Sequence, residues 1–85
     1  MQDVIIYSKD HCPYCTMAKT LLEKLGIKYK ELKIGVDVTR EQLLEVAPQA
    51  RTAPQIVING QAIGGYDQLA DYVENTGFNG TGYTI

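Results

Sequence analysis

Cysteine is scarce in this chain: only Cys12 and Cys15 occur among 85 residues, and both fall in one short motif. A structural disulfide normally ties distant segments together, and a bridge across so short a loop removes little freedom from the unfolded chain. Histidine is scarcer still, with His11 alone. A closed structural zinc site takes four ligands, whereas His11, Cys12 and Cys15 supply three, so no metal is expected. There is no basic run able to neutralise a row of phosphates, and the formal net charge is -2 with a pI near 5.2. Nucleic acid is therefore not an expected partner. No apolar stretch approaches the length that crosses a bilayer, so no membrane association is expected. Val4-Ile5-Ile6 is apolar, but Lys9, Asp10 and His11 follow too soon for a signal-peptide core. Internal repeats, linkers and low-complexity blocks are missing as well. Together these absences lead to the expectation of a monomeric, cytoplasmic protein. In a reducing compartment, a close cysteine pair is catalytic or metal-binding rather than structural.

What is present fits one small globular domain. Hydrophobic residues make up 45% of the chain and charged residues 21%, ordinary values for a folded protein. The domain is expected over residues 1–77, with 78–85 as a C-terminal tail of no clear period. Val4-Ile5-Ile6-Tyr7 is a short apolar run that suits a buried strand. Cys12-Pro13 opens a helical stretch in which Met17, Leu21, Leu22 and Leu25 recur at helical spacing. Pro13 fits a first helical turn, and Gly26 is a natural stop. Residues 27–34 alternate imperfectly among lysines and suggest an edge strand. Lys28, Lys30 and Lys33 read as its solvated face. Thr39 and Gln42 form a capping-box pattern before Leu43, Leu44, Val46 and Ala47. Asn59-Gly60 between Gln55-Ile56-Val57-Ile58 and Gln61-Ala62-Ile63 is a strong hairpin signal. Gly64-Gly65 breaks that strand, and Leu69, Tyr72 and Val73 mark one face of a last helix closed by Gly77. The order βαβαββα implies an α/β sandwich. Asn79-Gly80-Thr81 matches a glycosylation sequon but reads as chance without a secretory signal.

The chemistry concentrates at Cys12 and Cys15. Thiol–disulfide exchange needs a thiolate, and an ordinary cysteine is mostly protonated at neutral pH. Cys12 sits where a strand gives way to a helix, where unpaired N–H groups and the helix dipole favour an anion. Lys9 adds a nearby positive charge. Cys15 lies about one helical turn further on, within reach of Cys12, and is expected to be the more buried, resolving partner. Two other readings remain open on the residues alone: a pair of core cysteines without chemistry, and an iron–sulfur cluster shared between two chains through cysteine thiolates.

Three separated motifs together resemble the glutaredoxin family. Cys12-Pro13-Tyr14-Cys15 resembles its dithiol active site, with Lys9 where the family usually has a lysine. Thr52-Ala53-Pro54 resembles its Thr-Val-Pro loop, with alanine for valine. Ile63-Gly64-Gly65-Tyr66-Asp67 resembles its Ile-Gly-Gly segment with a following aspartate, and Gln68 stands where an acidic residue is common. The resemblance implies a thioredoxin-like fold with a small mixed four-stranded sheet and flanking helices. It also implies glutathione as reductant and co-substrate, and disulfide-containing or glutathionylated proteins, ribonucleotide reductase among them, as clients. The proline matching Pro54 is cis in the family, and Ala53 before it would present its backbone to the cysteinyl part of glutathione. Thr52 and Tyr14 would line the same groove. Backbone N–H groups near Gly65, Tyr66 and Asp67 would hold the γ-glutamyl carboxylate, and the Asp67 side chain its ammonium. Lys9 would meet the glycine carboxylate, with Arg40 and Arg51 as further candidates. Taken singly, Gly64-Gly65 fits a plain strand break and Asp67 a helix N-cap. A thioredoxin-like protein served by a flavoprotein reductase is the nearest competing identity, though such proteins usually carry Gly-Pro between the cysteines.

Overall fold

The computed structural model describes residues 3–76. Its elements run β1 (Val4–Ser8), α1 (Pro13–Lys24), β2 (Lys30–Lys33), α2 (Arg40–Val46), β3 (Gln55–Ile58), β4 (Gln61–Gly64) and α3 (Tyr66–Thr76). The expected closing role of Gly77 and the tail 78–85 lie outside the described residues. The strands form one four-stranded sheet in the order β2-β1-β3-β4. β2 runs parallel to β1 and sits at an edge, while β3 and β4 are antiparallel to their neighbours.

Strand alternation divides the interior into two layers. Val4 and Ile6 of β1 and Ile56 and Ile58 of β3 face Ala18 and Leu22 of α1 and Leu69 of α3. Tyr7 and Val57 point the other way, against Leu43 and Ala47 of the α2 segment. Covering both faces explains why β1 and β3 read as nearly continuous apolar runs rather than alternating ones. The buried side of α1 passes through Cys15, Ala18 and Leu22. Met17, counted among the apolar repeat from sequence, is 43% exposed. One residue is a turn of about 100° on a helix, so burying Ala18 rotates Met17 away from the sheet.

Local signals account for most boundaries. At the end of α1 the Gly26 N–H donates to the Glu23 carbonyl and the Ile27 N–H to that of Leu22, a Schellman pattern. The Gln42 N–H donates to Thr39 Oγ1 and the Thr39 N–H to Gln42 Oε1, completing the capping box. Asn59 and Gly60 both take positive φ, as a two-residue hairpin turn requires. Tyr29 packs at the margin of the larger core layer, and its hydroxyl donates to Glu23. Burial first, and that bond second, push the Tyr29 phenol up to about 12.

Candidate active site

Pro13 is the first residue of α1 and Cys12 its N-cap, with extended backbone. The Cys15 N–H points at Cys12 Sγ at 3.2 Å. A donor at that distance stabilises a sulfur anion far more than a neutral thiol, which makes Cys12 the acidic partner. Cys15 is only 2% exposed, whereas Cys12 is half-buried. The two sulfurs are joined as a disulfide, with Cα atoms 5.2 Å apart. Attack from outside must therefore fall on Cys12. His11, just before the pair, is exposed and holds a φ of 56°, an uncommon conformation for a residue other than glycine.

The loop 52–54, which leads into β3 beside β1, approaches the pair. The Ala53–Pro54 peptide is cis, and the Ala53 carbonyl oxygen lies 3.5 Å from Cys12 Sγ. The buried side chain of Gln55 donates to the Thr52 carbonyl at 2.8 Å and ties the loop to the start of β3. Opposite, Tyr66 opens α3 and its ring meets Tyr14 with centroids 6.1 Å apart. A groove of about 510 Å3 runs between these elements, and Lys9, Cys12, Tyr14, Thr52, Ala53, Pro54, Gly65, Tyr66 and Asp67 all border it. Arg40 and Arg51 do not border that groove; they line a smaller cavity of about 150 Å3, which Lys9, Thr52 and Ala53 border as well.

Two features escaped the reading from sequence. Asp67 is the second residue of α3, not its N-cap, because the helix begins at Tyr66. The cap is supplied by Gln68, whose Oε1 accepts the Gly65 N–H at 3.0 Å. This is half of a capping box, and glutamine at the third helical position was the available signal. The arrangement also requires Gly64, whose φ is 124° and where an added Cβ would lie 2.8 Å from Gln68 Cγ.

The second feature is a polar cleft of about 520 Å3 behind the pair, bordered by Cys12, Cys15, Lys19, Glu31 and Lys33. The Ser8 hydroxyl donates to Glu31 Oε2 at 2.6 Å, and Lys19 Nζ meets the same oxygen at 3.0 Å. The Ser8 bond first, and Lys19 second, hold the Glu31 carboxyl below its ordinary range. Lys33, on the strand face read from sequence as solvated, is 43% exposed there and pairs with the exposed Asp10 at 2.8 Å. That bond lowers the Asp10 carboxyl and raises the Lys33 ammonium. Because the Glu31 carboxyl is depressed in the fold, its contribution to stability is complete above the ordinary glutamate range near 4.5 and is lost as pH falls through the folded value. Urea melts between about pH 3 and pH 6 should show Glu31→Gln to be less pH-sensitive than the parent over that window. Parallel curves would mean that Glu31 titrates alike in the folded and unfolded chains.

No group of three or more His, Cys, Asp or Glu side chains is placed to hold a metal among the described residues. None of their helices is long and apolar enough to cross a membrane.

A strand, a Cys-x-x-Cys helix start and a cis-proline loop facing the outer cysteine define a thioredoxin-like thiol–disulfide oxidoreductase. Comparison narrows the class. The family model described as Glutaredoxin matches residues 4–63. Glutaredoxin 3 of Escherichia coli is 44% identical over 70 residues, covering 81% of this chain and 83% of its own length. The reduced E. coli glutaredoxin structure superposes with a TM-score of 0.76 at 34% identity, covering 86% of this chain and 94% of that one. The buckwheat glutaredoxin–glutathione complex superposes with a TM-score of 0.74 at 29% identity, covering 87% and 70%. The chain belongs to the glutaredoxin family.

Proposed function

We propose that this protein reduces glutathione mixed disulfides and protein disulfides with glutathione as the electron source. The observation that carries the reading is the groove at Cys12. It is bordered by Ala53 in the middle, the start of α3 at one end and Lys9 nearby. Glutathione has a carboxylate at each end and an extended middle, so the chemistry is complementary. The similar buckwheat protein was solved with glutathione bound.

In this mechanism the Cys12 thiolate attacks the glutathione sulfur of a mixed disulfide. The client sulfur leaves as a thiolate and takes a proton. A second glutathione thiolate then attacks the Cys12 adduct and departs as oxidised glutathione, restoring Cys12. With a protein disulfide, Cys12 forms the mixed disulfide and Cys15 resolves it. Glutaredoxin potentials of about −200 to −230 mV lie close enough to the cytosolic glutathione poise for that couple to drive the cycle. A reducing cytoplasm is the compartment proposed, with ribonucleotide reductase among the proposed clients.

The deciding assay is turnover of a glutathione mixed disulfide with glutathione, glutathione reductase and NADPH, beside a parallel assay with thioredoxin reductase. Turnover in the first alone supports the reading, and turnover in the second alone overturns it. In the same assay Asp67→Ala should raise the KM for the mixed disulfide about fivefold, the loss of roughly 1 kcal/mol expected for an exposed charged hydrogen bond. The Cys12 pKa should hardly move. An unchanged KM would remove Asp67 from the binding site.

A further inference from the structure

Cys12 borders both the front groove and the polar cleft, whereas Cys15 borders the cleft alone of the two. The position of the cleft matters to Cys15. Cys15 is 2% exposed in the disulfide form, and burial of that kind disfavours a thiolate once the bond is reduced. Yet Cys15 must ionise to attack a Cys12–client disulfide. Lys19 follows Cys15 by four residues on α1, so the two side chains stand on the same helix face with Cβ atoms about 5–6 Å apart. Both border the cleft. The Lys19 side chain is 29% exposed, and its Nζ is anchored at 3.0 Å to a carboxylate that also takes the Ser8 hydroxyl.

We propose that Lys19 is a positioning residue for the resolving step: held by Glu31 in the rear cleft, its ammonium favours the Cys15 thiolate and speeds reduction of protein disulfides without serving the glutathione route. This rests on Cys15 being the resolving thiol. The charges around the cleft are Lys9, Asp10 and His11 from the loop, Lys19 from α1, and Glu31 and Lys33 from β2. Asp10 is paired with Lys33. Glu23, the next acid on the Lys19 face, accepts the Tyr29 hydroxyl. From α3, Tyr66 and Asp67 border the front groove instead. Glu31 neutralises part of the Lys19 charge but fixes its place, and an unanchored lysine would spend its time in solvent. In the step itself, Cys15 loses its proton to water in the cleft and its sulfur attacks Cys12 Sγ. The Cys12–client bond breaks, the Cys12–Cys15 bond forms, and the client sulfur leaves as a thiolate that takes up a proton. The client is reduced by two electrons and the dithiol pair oxidised.

The direct test uses the Cys12→Ser protein, in which Cys15 is the sole thiol. Its titration, followed by thiolate absorbance and by alkylation rate, should move up by about one pH unit in Lys19→Met, a tenfold fall in thiolate below the pKa. Lys19→Met keeps most of the aliphatic stem, and Lys19→Arg should restore the titration to within about 0.3 unit, because the charge is kept. In the otherwise native protein, Lys19→Met should shift the pH profile of protein-disulfide reduction upward by a similar amount. Its turnover of a glutathione mixed disulfide should stay unchanged, which also reports that it is folded. Superimposable Cys15 titrations for parent, Lys19→Met and Lys19→Arg would overturn the proposal, and so would equal loss of both activities. If the parent reduces no protein disulfide with glutathione, the functional reading fails, and the Cys15 titration still decides the role of Lys19.

Discussion

Cys12→Ser is expected to abolish both activities, by more than about a thousandfold or roughly 4 kcal/mol in barrier. A serine hydroxyl stays protonated at neutral pH, and the N–H of Cys15 that favours a sulfur anion at 3.2 Å has no comparable anion to favour. Cys15 cannot substitute, since it is buried behind Cys12 and away from the groove. Steady-state turnover with either substrate is the measurement. Retention of even a tenth of parental activity would show that the attacking sulfur had been misassigned.

Cys15→Ser should instead separate the two reactions. Reduction of a glutathione mixed disulfide needs one protein thiol, because glutathione itself resolves the adduct. A protein disulfide needs a second thiol held close, where intramolecular attack gains a large effective concentration. The variant should keep most of its turnover of mixed disulfides and lose at least about tenfold, some 1.4 kcal/mol, on protein disulfides. Oxidised glutathione should convert it to a stable Cys12 adduct visible by mass spectrometry. A thioredoxin-type cycle always resolves through the second cysteine, so loss of both activities together in a folded variant would point to that mechanism instead.

The legible parts of the site were those written in adjacent residues. Cys12 at the start of a helix, with Pro13 behind it and Cys15 a turn on, already implies an acidic outer sulfur and a sheltered inner one. Lys9, three residues before Cys12, was legible by adjacency, whereas the gathering of Ala53 and Asp67 at the same groove was available only through likeness to a family, because their spacing along the chain carries no distance in space. Gln68 departs from the family pattern in sequence, and its role lies in the side chain folded back on Gly65. Lys19 and Glu31 carry no local signal in the sequence. Each reads as a surface charge until β2 is laid beside β1, bringing Glu31 to Ser8 across 23 residues of chain.

By itself, the sequence determined the features that depend on contacts within a turn or two: the capping box at Thr39, the hairpin at Asn59-Gly60, the stop at Gly26 and the cysteine pair at a helix start. Hydrogen bonds over three or four residues are chosen locally, so their patterns survive in the one-dimensional record. Tertiary structure alone decided the strand order β2-β1-β3-β4 and which side of α1 is buried. It also brought the Ala53 carbonyl to 3.5 Å from Cys12, across 41 residues. Those outcomes depend on packing two apolar layers against opposite faces of one sheet, a condition set by the whole chain at once.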